Sequence, residues 1–302
     1  MAISIGFTLV DVFTPVAFGG NQLAVFHKAG RLKASQMQSL AREMNFSEST
    51  FVIPPPSRAD SVRVRIFTPR REIPMAGHPT IGTTWVLAAR GELAPGDATL
   101  ELGVGEISVT IEGRPRRPQF VWMTHQEAIF GEKRTDRKRI ATALGIEPRD
   151  IRSDLPVQAV STGMPFLFVP IASAHALARC VSSEAALRGL FDGPESALPI
   201  YMFVCGWSSR AAVRVRMFAP HTDGIAEDPA TGGAAGPLGA YLLAQGFLGR
   251  GRRTRFTAVQ GVEMGRRSEI MVEVDDSEER AASIRIGGRC VIVAEGQARI
   301  AG

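Results

Sequence analysis

The sequence predicts an α/β (α+β) protein of two similar halves, each with a sheet wrapped around one central helix. The segment VRVRIFTP at 62–69 recurs as VRVRMFAP at 213–220, with six of eight positions identical and an offset of 213 − 62 = 151 residues. A glycine-led apolar segment beginning at Gly77 recurs from Gly232, at an offset of 232 − 77 = 155. Because the same series of elements occurs twice in the same order, we expect the two halves to be related by a pseudo-twofold axis.

Each copy of the repeat predicts a strand followed by a helix. Apolar residues alternate with arginine in VRVRIF, which is typical of a strand with one solvated face. Pro69 and Pro220 are expected to end these strands, and Pro79 suits a first helical turn. Gly91 and Gly246 follow the last apolar turn, as glycines after helices do. The helical segments TIGTTWVLAA and AAGPLGAYLLA carry no charge, so we expect both helices to be buried on every side.

The other elements are predicted from shorter patterns. FTLVDVF and LAVFHKA are expected strands joined through GGNQ, and STFVIPPP is a strand ended by prolines. ASQMQSLAREMN has an apolar stripe at helical spacing, with Ser35 as its candidate N-cap. In the second half, RKRIATALGI and SSEAALRGLF predict short helices and FLFVPI predicts a strand. The segment IRIGGRCVIVAEGQARI predicts a closing hairpin.

The repeat also predicts the domain organisation. The first half is expected to comprise residues 1–118 together with 289–302, because the last strand is expected to cross back, and the second half residues 119–288. The proline-broken RPRRP at 114–118 is the expected solvated linker. A chain of 302 residues suits two domains of ordinary size.

Composition excludes several classes of protein. The chain is 45% hydrophobic and has no apolar run of membrane-spanning length. Its start lacks a basic segment before an apolar run, which predicts no signal peptide and a cytoplasmic location. The formal charge is +5, but the 35 − 4 = 31 arginines are spread along the chain, so we expect no nucleic-acid partner. The three scattered cysteines, Cys180, Cys205 and Cys290, indicate core-filling thiols, and neither they nor the histidines show metal-ligand spacing.

The two predicted helix starts are candidate anion sites. Amides without helical partners and the positive end of the helix dipole favour an anion there. If the halves are equivalent, the amides around Gly77 and those around Gly232 and Gly233 face one cleft. Together they would bind a carboxylate and stabilise negative charge developing beside it. The alternative is that both are simply glycine-started buried helices.

Three ionisable residues lie near these helix starts. His78 follows Gly77, Asp228 precedes the second helix, and Glu48 lies between Ser47 and Ser49 at the start of an apolar strand. Taken singly, an acid at a strand end is often only solvated, and a lone histidine is often structural.

Four segments in order along the chain give the sequence its family resemblance. DVFT…GGNQLAVF, NFSESTFV, MAGHPTIG and EDPATGGAAG resemble the characteristic segments of the PhzF-like family, the phenazine-biosynthesis isomerase group. The resemblance implies a fold similar to that of diaminopimelate epimerase and proline racemase, with the active site between two similar halves. It also implies an isomerase, and we expect a possible homodimer.

The resemblance also implies roles for individual residues. Glu48 matches the catalytic general acid/base of the family, and His78 and Asp228 match its other site residues. Gly77 and Gly232 match the backbone amides that hold the substrate carboxylate. We add Gly233, Ser47 and Asn21 as candidate substrate or anion contacts.

Two departures from related sequences bear on the chemistry. Ala76 and Pro229 stand where the related racemases have catalytic cysteines, so a two-thiol racemase is not expected. Gly233 stands where the phenazine enzyme usually has serine, so a hydroxyl that would contact substrate is missing.

We therefore expect a cofactor-independent isomerase acting on a small carboxylate, in which Glu48 moves a proton between carbons. An apolar site is expected to raise the pKa of its carboxyl group toward the working pH. No dinucleotide fingerprint or Walker A motif is present, so no nucleotide cofactor is implied. The alternative hypothesis is a non-catalytic, small-acid-binding or regulatory relative of the family. Deuterium exchange into a bound small acid would separate the two.

Overall fold

The described part of the chain forms two compact units. The computed structural model describes residues 3–54, 61–187, 190, 198–206, 212–219, 225–277 and 282–300. Unit 1 comprises Met1–Thr124 and Gly287–Gly302, and unit 2 comprises His125–Ile286. Pro220, an expected strand terminator, lies outside the described residues. Within the described ranges, no helix combines the length and the apolar character needed to span a membrane.

Unit 1 is built on one long sheet. Its strands and helices are β1 (Ile3–Val12), β2 (Asn21–Phe26), α1 (Ala34–Met44), β3 (Glu48–Ile53), β4 (Ser61–Phe67), β5 (Glu72–Ile73), α2 (Gly77–Arg90), β6 (Gly96–Leu102), β7 (Gly105–Arg114), β8 (Arg117–Thr124) and β18 (Cys290–Ile300). The strand order is β18-β1-β2-β3-β4-β6-β7-β8, with β5 added to β4. The β2–β3 and β4–β6 pairs are parallel and the others antiparallel.

The sheet of unit 1 wraps around α2. This helix contacts strands from both ends of the sheet, β18 and β1 at one end and β7 and β8 at the other. Its buried residues cover all sides, as the uncharged sequence predicts. Gly91 ends the helix in the left-handed conformation, with φ of 77°.

Unit 2 is built in the same way around another helix. Its elements are β9 (Ile129–Arg134), α3 (Arg137–Ala143), β10 (Val157–Ser161), β11 (Pro165–Pro170), α4 (Ala174–Arg179), α5 (Glu184–Leu187), β12 (Ile200–Cys205), β13 (Ala212–Ala219), β14 (Ile225–Asp228), α6 (Gly232–Ala244), β15 (Arg253–Gln260), β16 (Ser268–Asp275) and β17 (Ser283–Gly288), which ends in unit 1. The strand order is β9-β10-β11-β12-β13-β15-β16, with β14 on β13. Helix α6 packs against β10, β11 and β16.

The topology repeats between the units. In each unit a parallel pair is followed by an antiparallel pair, a short added strand, the central helix and a second parallel pair. The register repeats as well, since Val62 pairs with Leu100 in unit 1 and Val213 pairs with Ala258 in unit 2. The repeated sequence segments therefore occupy equivalent places in two sheets of the same design.

The repeated Arg-x-Phe sequence builds the same side-chain cluster twice. In unit 1, Arg65 donates two hydrogen bonds of 2.6 Å to Glu72, and its guanidinium lies 5.1 Å from the centre of the Phe67 ring. In unit 2, Arg216 donates bonds of 2.7 and 2.8 Å to Glu227 and lies 4.8 Å from the Phe218 ring. These paired contacts tie β5 to β4 and β14 to β13.

The prediction of one solvated face fails for the second copy. Every described residue of β13 is buried, including Arg214 and Arg216. Arg216 can be buried because its charge faces Glu227 and its Nη1 donates to the carbonyls of Leu177, Ala178 and Cys180 at the end of α4. A fully hydrogen-bonded guanidinium loses less on leaving water than an unpaired one.

Three smaller predictions are also wrong. Helix α1 starts at Ala34, with Lys33 as its N-cap, because the side chain of Gln36 accepts the Lys33 amide, and Ser35 lies inside the helix. The RPRRP segment is the turn of the β7–β8 hairpin, with Arg116 in the left-handed conformation, rather than a linker. The closing segment separates into β17 and β18, and β18 pairs along β1.

Candidate active site

Glu48 is the first residue of β3, an interior strand of the unit 1 sheet between β2 and β4. Asn45 ends α1 in the left-handed conformation and turns the chain toward this strand. Glu48 then pairs in parallel register with Leu23 of β2. Its side chain is 12% exposed, so the carboxyl group is largely removed from water while still reachable.

Alternation along β3 points Glu48 toward α2. The side chain two residues on, Thr50, lies 2.8 Å from the hydroxyl of Thr83 on that helix. Ser49 points to the opposite face, and its hydroxyl has no hydrogen-bond partner among the described residues. Ser49 therefore does not position Glu48 through a side-chain hydrogen bond. Ser47 is half-buried, and its role as a substrate contact stays a prediction.

His78 lies beside Glu48 in the first turn of α2. Its Nε2 is 3.4 Å from Oε2 of Glu48, without hydrogen-bond geometry. Its Nδ1 is 3.1 Å from Nδ2 of Asn21, the first residue of β2. The tautomer of the neutral ring decides which nitrogen carries the proton and which partner Nδ1 serves. The structure thus brings Glu48, His78 and Asn21 together.

The imidazole of His78 is neutral at neutral pH. Burial lowers its pKa to about 3, and a hydrogen bond to the Gln22 carbonyl offsets only part of this effect. The Glu48–His78 contact is therefore not an ion pair at neutral pH. A neutral imidazole can still donate one hydrogen bond and accept another.

The start of α2 supplies backbone donors next to this pair. The first backbone hydrogen bond of the helix is donated by Thr80 to Ala76, which leaves the amides of Gly77 and His78 ahead of it. The helix dipole places partial positive charge at the same point. Gly77 is buried, so an anion bound there would be partly shielded from water.

The remaining predicted residues lie in unit 2. Asp228 ends β14, is buried, and accepts a 2.6 Å hydrogen bond from the Thr231 hydroxyl. Gly232 and Gly233 begin α6, whose first backbone bonds run from Ala234 and Ala235 to Thr231. In both helices, two backbone amides precede the first backbone hydrogen bond of the helix. Thr231 and its hydrogen-bond partners were not predicted from the sequence, since a single threonine gives no distinctive pattern.

The two cysteines of unit 2 that lie before α6, Cys180 and Cys205, are not activated as thiolates. Burial raises the pKa of the Cys180 thiol to about 12 and that of Cys205 to about 11, so both stay protonated at neutral pH. In the part of the chain that the structure describes, no group of three or more His, Cys, Asp or Glu side chains is placed to hold a metal ion.

A separate groove of about 1210 Å³ lies elsewhere in unit 1. It is lined by residues that include His27, Arg31 and Glu295, and it contains neither Glu48, His78 nor Asn21. The buried, paired groups of the candidate site therefore lie outside this groove.

Comparisons with known proteins identify the family of the chain. The family described as "Phenazine biosynthesis-like protein" (PhzC-PhzF) matches residues 10–296. The chain belongs to this family. A relative named trans-2,3-dihydro-3-hydroxyanthranilate isomerase, from Pseudomonas aeruginosa, is 33% identical over 293 residues, covering 97% of this chain and 98% of the relative.

Solved structures give the same family and fold. The crystal structure of a Bacillus anthracis phenazine biosynthesis protein of the PhzF family has a TM-score of 0.90 at 26% identity, covering 99% of this chain and all of that one. A hydroxyproline epimerase from Agrobacterium vitis has a TM-score of 0.68 at 14% identity, covering 98% of this chain and 91% of that one, which shows a shared fold only. The predicted PhzF-like family, fold class and isomerase class are confirmed.

Proposed function

We propose that the protein is a cofactor-independent isomerase that moves a proton between carbons of a small carboxylate substrate, with Glu48 as general acid/base. The observation that carries the proposal is the buried contact of 3.4 Å between Glu48 and a neutral His78. A carboxylate removed from water beside an uncharged partner is suited to accept a proton from carbon.

The reaction balances without any added reagent. The Glu48 carboxylate takes a proton from one carbon, and the electron pair of the broken C–H bond forms a new double bond within the conjugated substrate. The same carboxyl group then returns the proton to a different carbon, which restores the Glu48 carboxylate. The reaction thus moves one proton and one double bond and needs no electron acceptor.

The substrate carboxylate is proposed to bind at backbone amides. Gly77 at the start of α2 is the unit 1 donor, supported by its burial and by the helix dipole. Gly232 and Gly233 at the start of α6 are the proposed donors from unit 2, supported by the sequence repeat. Donors aimed at developing negative charge stabilise the transition state more than the ground state.

His78 and Asp228 are proposed to support Glu48. A neutral His78 donates from Nε2 or accepts there, which suits a proton relay or contact with a substrate oxygen. Asp228 is proposed to orient the polar end of the substrate. Asn21 is buried against His78, which supports a role in fixing the ring in addition to the predicted contact with substrate.

The proposal is tested with the substrate named in the relative's activity. The protein is incubated with trans-2,3-dihydro-3-hydroxyanthranilate in D₂O, and isomerisation and deuterium incorporation are followed by NMR. We expect deuterium to enter at the carbon that is protonated. The alternative, a non-catalytic relative, predicts binding of the acid with no exchange above the rate of an enzyme-free control, and that result would overturn the proposal.

Four predictions about location and partners accompany this function. They are a cytoplasmic location, a possible homodimer, no requirement for metal and no nucleic-acid partner. Sedimentation velocity measures the oligomeric state, and a chelator added to active protein tests the requirement for metal.

A further inference from the structure

The side chain of Gln260, at the end of β15, is at the centre of a buried hydrogen-bond network. Its Oε1 accepts from the Thr231 amide at 3.0 Å and from the Tyr201 hydroxyl at 3.3 Å. Its Nε2 donates to the Asp228 carbonyl at 2.7 Å and to the Thr231 hydroxyl at 2.9 Å. Two acceptances and two donations use the full capacity of a side-chain amide, and Gln260 is completely buried.

The network gives the Thr231 hydroxyl a defined direction. Because that hydroxyl accepts from Gln260, its own proton is available to Asp228, and it donates to Oδ2 at 2.6 Å. The carboxylate oxygen acts as an acceptor, which is the role of an ionised carboxylate. The series of donors runs from Gln260 through Thr231 to Asp228.

Tyr201 holds the amide of Gln260 in this orientation. Burial raises the pKa of Tyr201 well above its usual value, and the nearby charge of Asp228 adds to the effect. The phenol therefore keeps its proton and donates it to Oε1, as the Thr231 amide does. Reversing the amide would bring its NH₂ group against these two donors, so Nε2 stays toward Asp228 and Thr231.

The backbone between Asp228 and Thr231 is held from a second direction. Ser268 donates from its hydroxyl to the Pro229 carbonyl at 2.7 Å. Gly261, with φ of 72°, leaves room for the same carbonyl, since a Cβ there would come within 2.7 Å of it. The backbone that follows Asp228 is thus held by Ser268 and Gly261, which are not candidate site residues.

The repeat shows that the fold does not need this polar network. The strand registers align unit 2 with unit 1 at offsets of 228 − 73 = 155 before the helix and 258 − 100 = 158 after it. The unit 1 counterparts of Asp228, Thr231 and Gln260 are then Ile73, Ala76 and Leu102. All three are buried apolar residues.

We propose that Gln260 is a positioning residue for the reaction, which orients and stabilises the ionised carboxylate of Asp228 through the hydroxyl of Thr231. This inference rests on the proposed function, in which Asp228 contacts substrate. Gln260 and Thr231 occur in unit 2, where Asp228 lies. Unit 1 has buried apolar residues at the equivalent positions.

The first test needs no substrate. The titration of the Asp228 carboxylate is followed by carbon-13 NMR in wild type, Gln260→Leu and Thr231→Val, with Asp228→Asn assigning the signal. Thr231→Val removes the donor to the carboxylate, and Gln260→Leu removes the contact that directs this donor. Both changes disfavour the ionised form, so the midpoint moves to higher pH in both variants. Gln158→Leu is the matched control, because Gln158 is also buried in unit 2 and donates to the Gly131 carbonyl. It should leave the midpoint unchanged.

The second test measures exchange into trans-2,3-dihydro-3-hydroxyanthranilate. Gln260→Leu should slow exchange about tenfold, as expected for the loss of one buried hydrogen bond that directs the Thr231 donor, and move the acidic limb of the pH–rate profile to higher pH. Gln260→Glu keeps the shape but lacks the NH₂ donor, so it should change the profile in the same direction. Gln158→Leu, compared per folded protein, should retain the wild-type rate and profile.

The outcomes separate the inference from the proposed function. If the Asp228 midpoint is the same in wild type, Gln260→Leu and Thr231→Val, the inference is overturned even if Asp228→Asn slows exchange. If Asp228→Asn retains wild-type exchange, the proposed role of Asp228 fails and the functional part of the inference fails with it. Should Gln260→Leu not fold, Thr231→Val alone decides.

Discussion

Nε2 of His78 lies 3.4 Å from Oε2 of Glu48, and the two side chains are only 4% and 12% exposed. The pair comes from different elements, the first turn of α2 and the first residue of β3. Because burial lowers the pKa of His78 to about 3, the histidine brings no positive charge to Glu48 at neutral pH. The contact with His78 therefore does not stabilise the Glu48 carboxylate as an ion pair would, and its basicity is not lowered by that contact.

Acid should destabilise the fold through two buried histidines. The pKa of His78 is lowered to about 3 and that of His125 to about 4, both by burial. Below about pH 6.5 the unfolded chain binds these protons and the folded chain does not, so the free energy of unfolding falls as pH falls from 6.5 toward 4. Each group contributes a slope of about 1.4 kcal/mol per pH unit.

Urea denaturation between pH 4.5 and 8 measures this slope. His125→Gln and His78→Asn should each make it shallower below pH 6.5. His175→Asn changes an exposed histidine and should keep the wild-type slope. An unchanged slope in both buried-site variants would contradict the assignment.

Serine at Gly233 should be accepted by the fold. A Cβ there would lie 3.7 Å from the Phe166 ring, an ordinary contact, and replacing glycine in a helix gains about 0.5 kcal/mol. Gly233→Ser also restores the hydroxyl found in the phenazine enzyme, so we expect faster isomerisation of trans-2,3-dihydro-3-hydroxyanthranilate. Thermal unfolding and turnover are the measurements.

Gly236→Ser is the matched control on the same helix. A Cβ at Gly236 would come within 2.6 Å of the His125 ring, and such overpacking costs about 1–3 kcal/mol. A lower melting temperature is expected for this variant only. Equal melting temperatures for Gly233→Ser and Gly236→Ser would show that this account of packing around α6 is wrong.

The repeated arginine pairs should differ in energy. Arg216→Met leaves Glu227 and three α4 carbonyls without their buried donor, a loss expected to cost about 3–5 kcal/mol. Arg65→Met removes the equivalent pair, which is more exposed at 25% and 42%, and should cost about 1 kcal/mol or less. Chemical denaturation of both variants compares them, and a larger loss for Arg65→Met would reverse the interpretation.

Much of the fold could be predicted because its two units repeat both sequence and topology. The uncharged segments after Gly77 and Gly232 indicated buried helices, and the structure has α2 and α6 there. The burial of Arg214 and Arg216 could not be predicted, because alternation with arginine is the same whether the polar face meets water or buried acids. Only the tertiary placement of Glu227 and Glu263 separates the two cases.

The candidate site was predicted in part. The family motifs and the helix starts indicated Glu48 and His78, which the structure places in contact. The neutral state of His78 beside Glu48 depends on burial of the imidazole, which short sequence motifs do not indicate. Gln260 was missed because one glutamine in the apolar strand TAVQ carries no pattern, and its partners are 29–59 residues away along the chain.

Exchange of solvent deuterium by Glu48→Gln tests the central claim most directly. Glutamine keeps the shape of the side chain and cannot accept the proton, so the melting temperature should stay near wild type. The rate of exchange into trans-2,3-dihydro-3-hydroxyanthranilate should fall by about 10²–10⁴-fold, the usual contribution of a general acid/base. His78→Asn should retain more activity than Glu48→Gln. Near-wild-type exchange by Glu48→Gln together with inactive His78→Asn would contradict the account and make His78 the base.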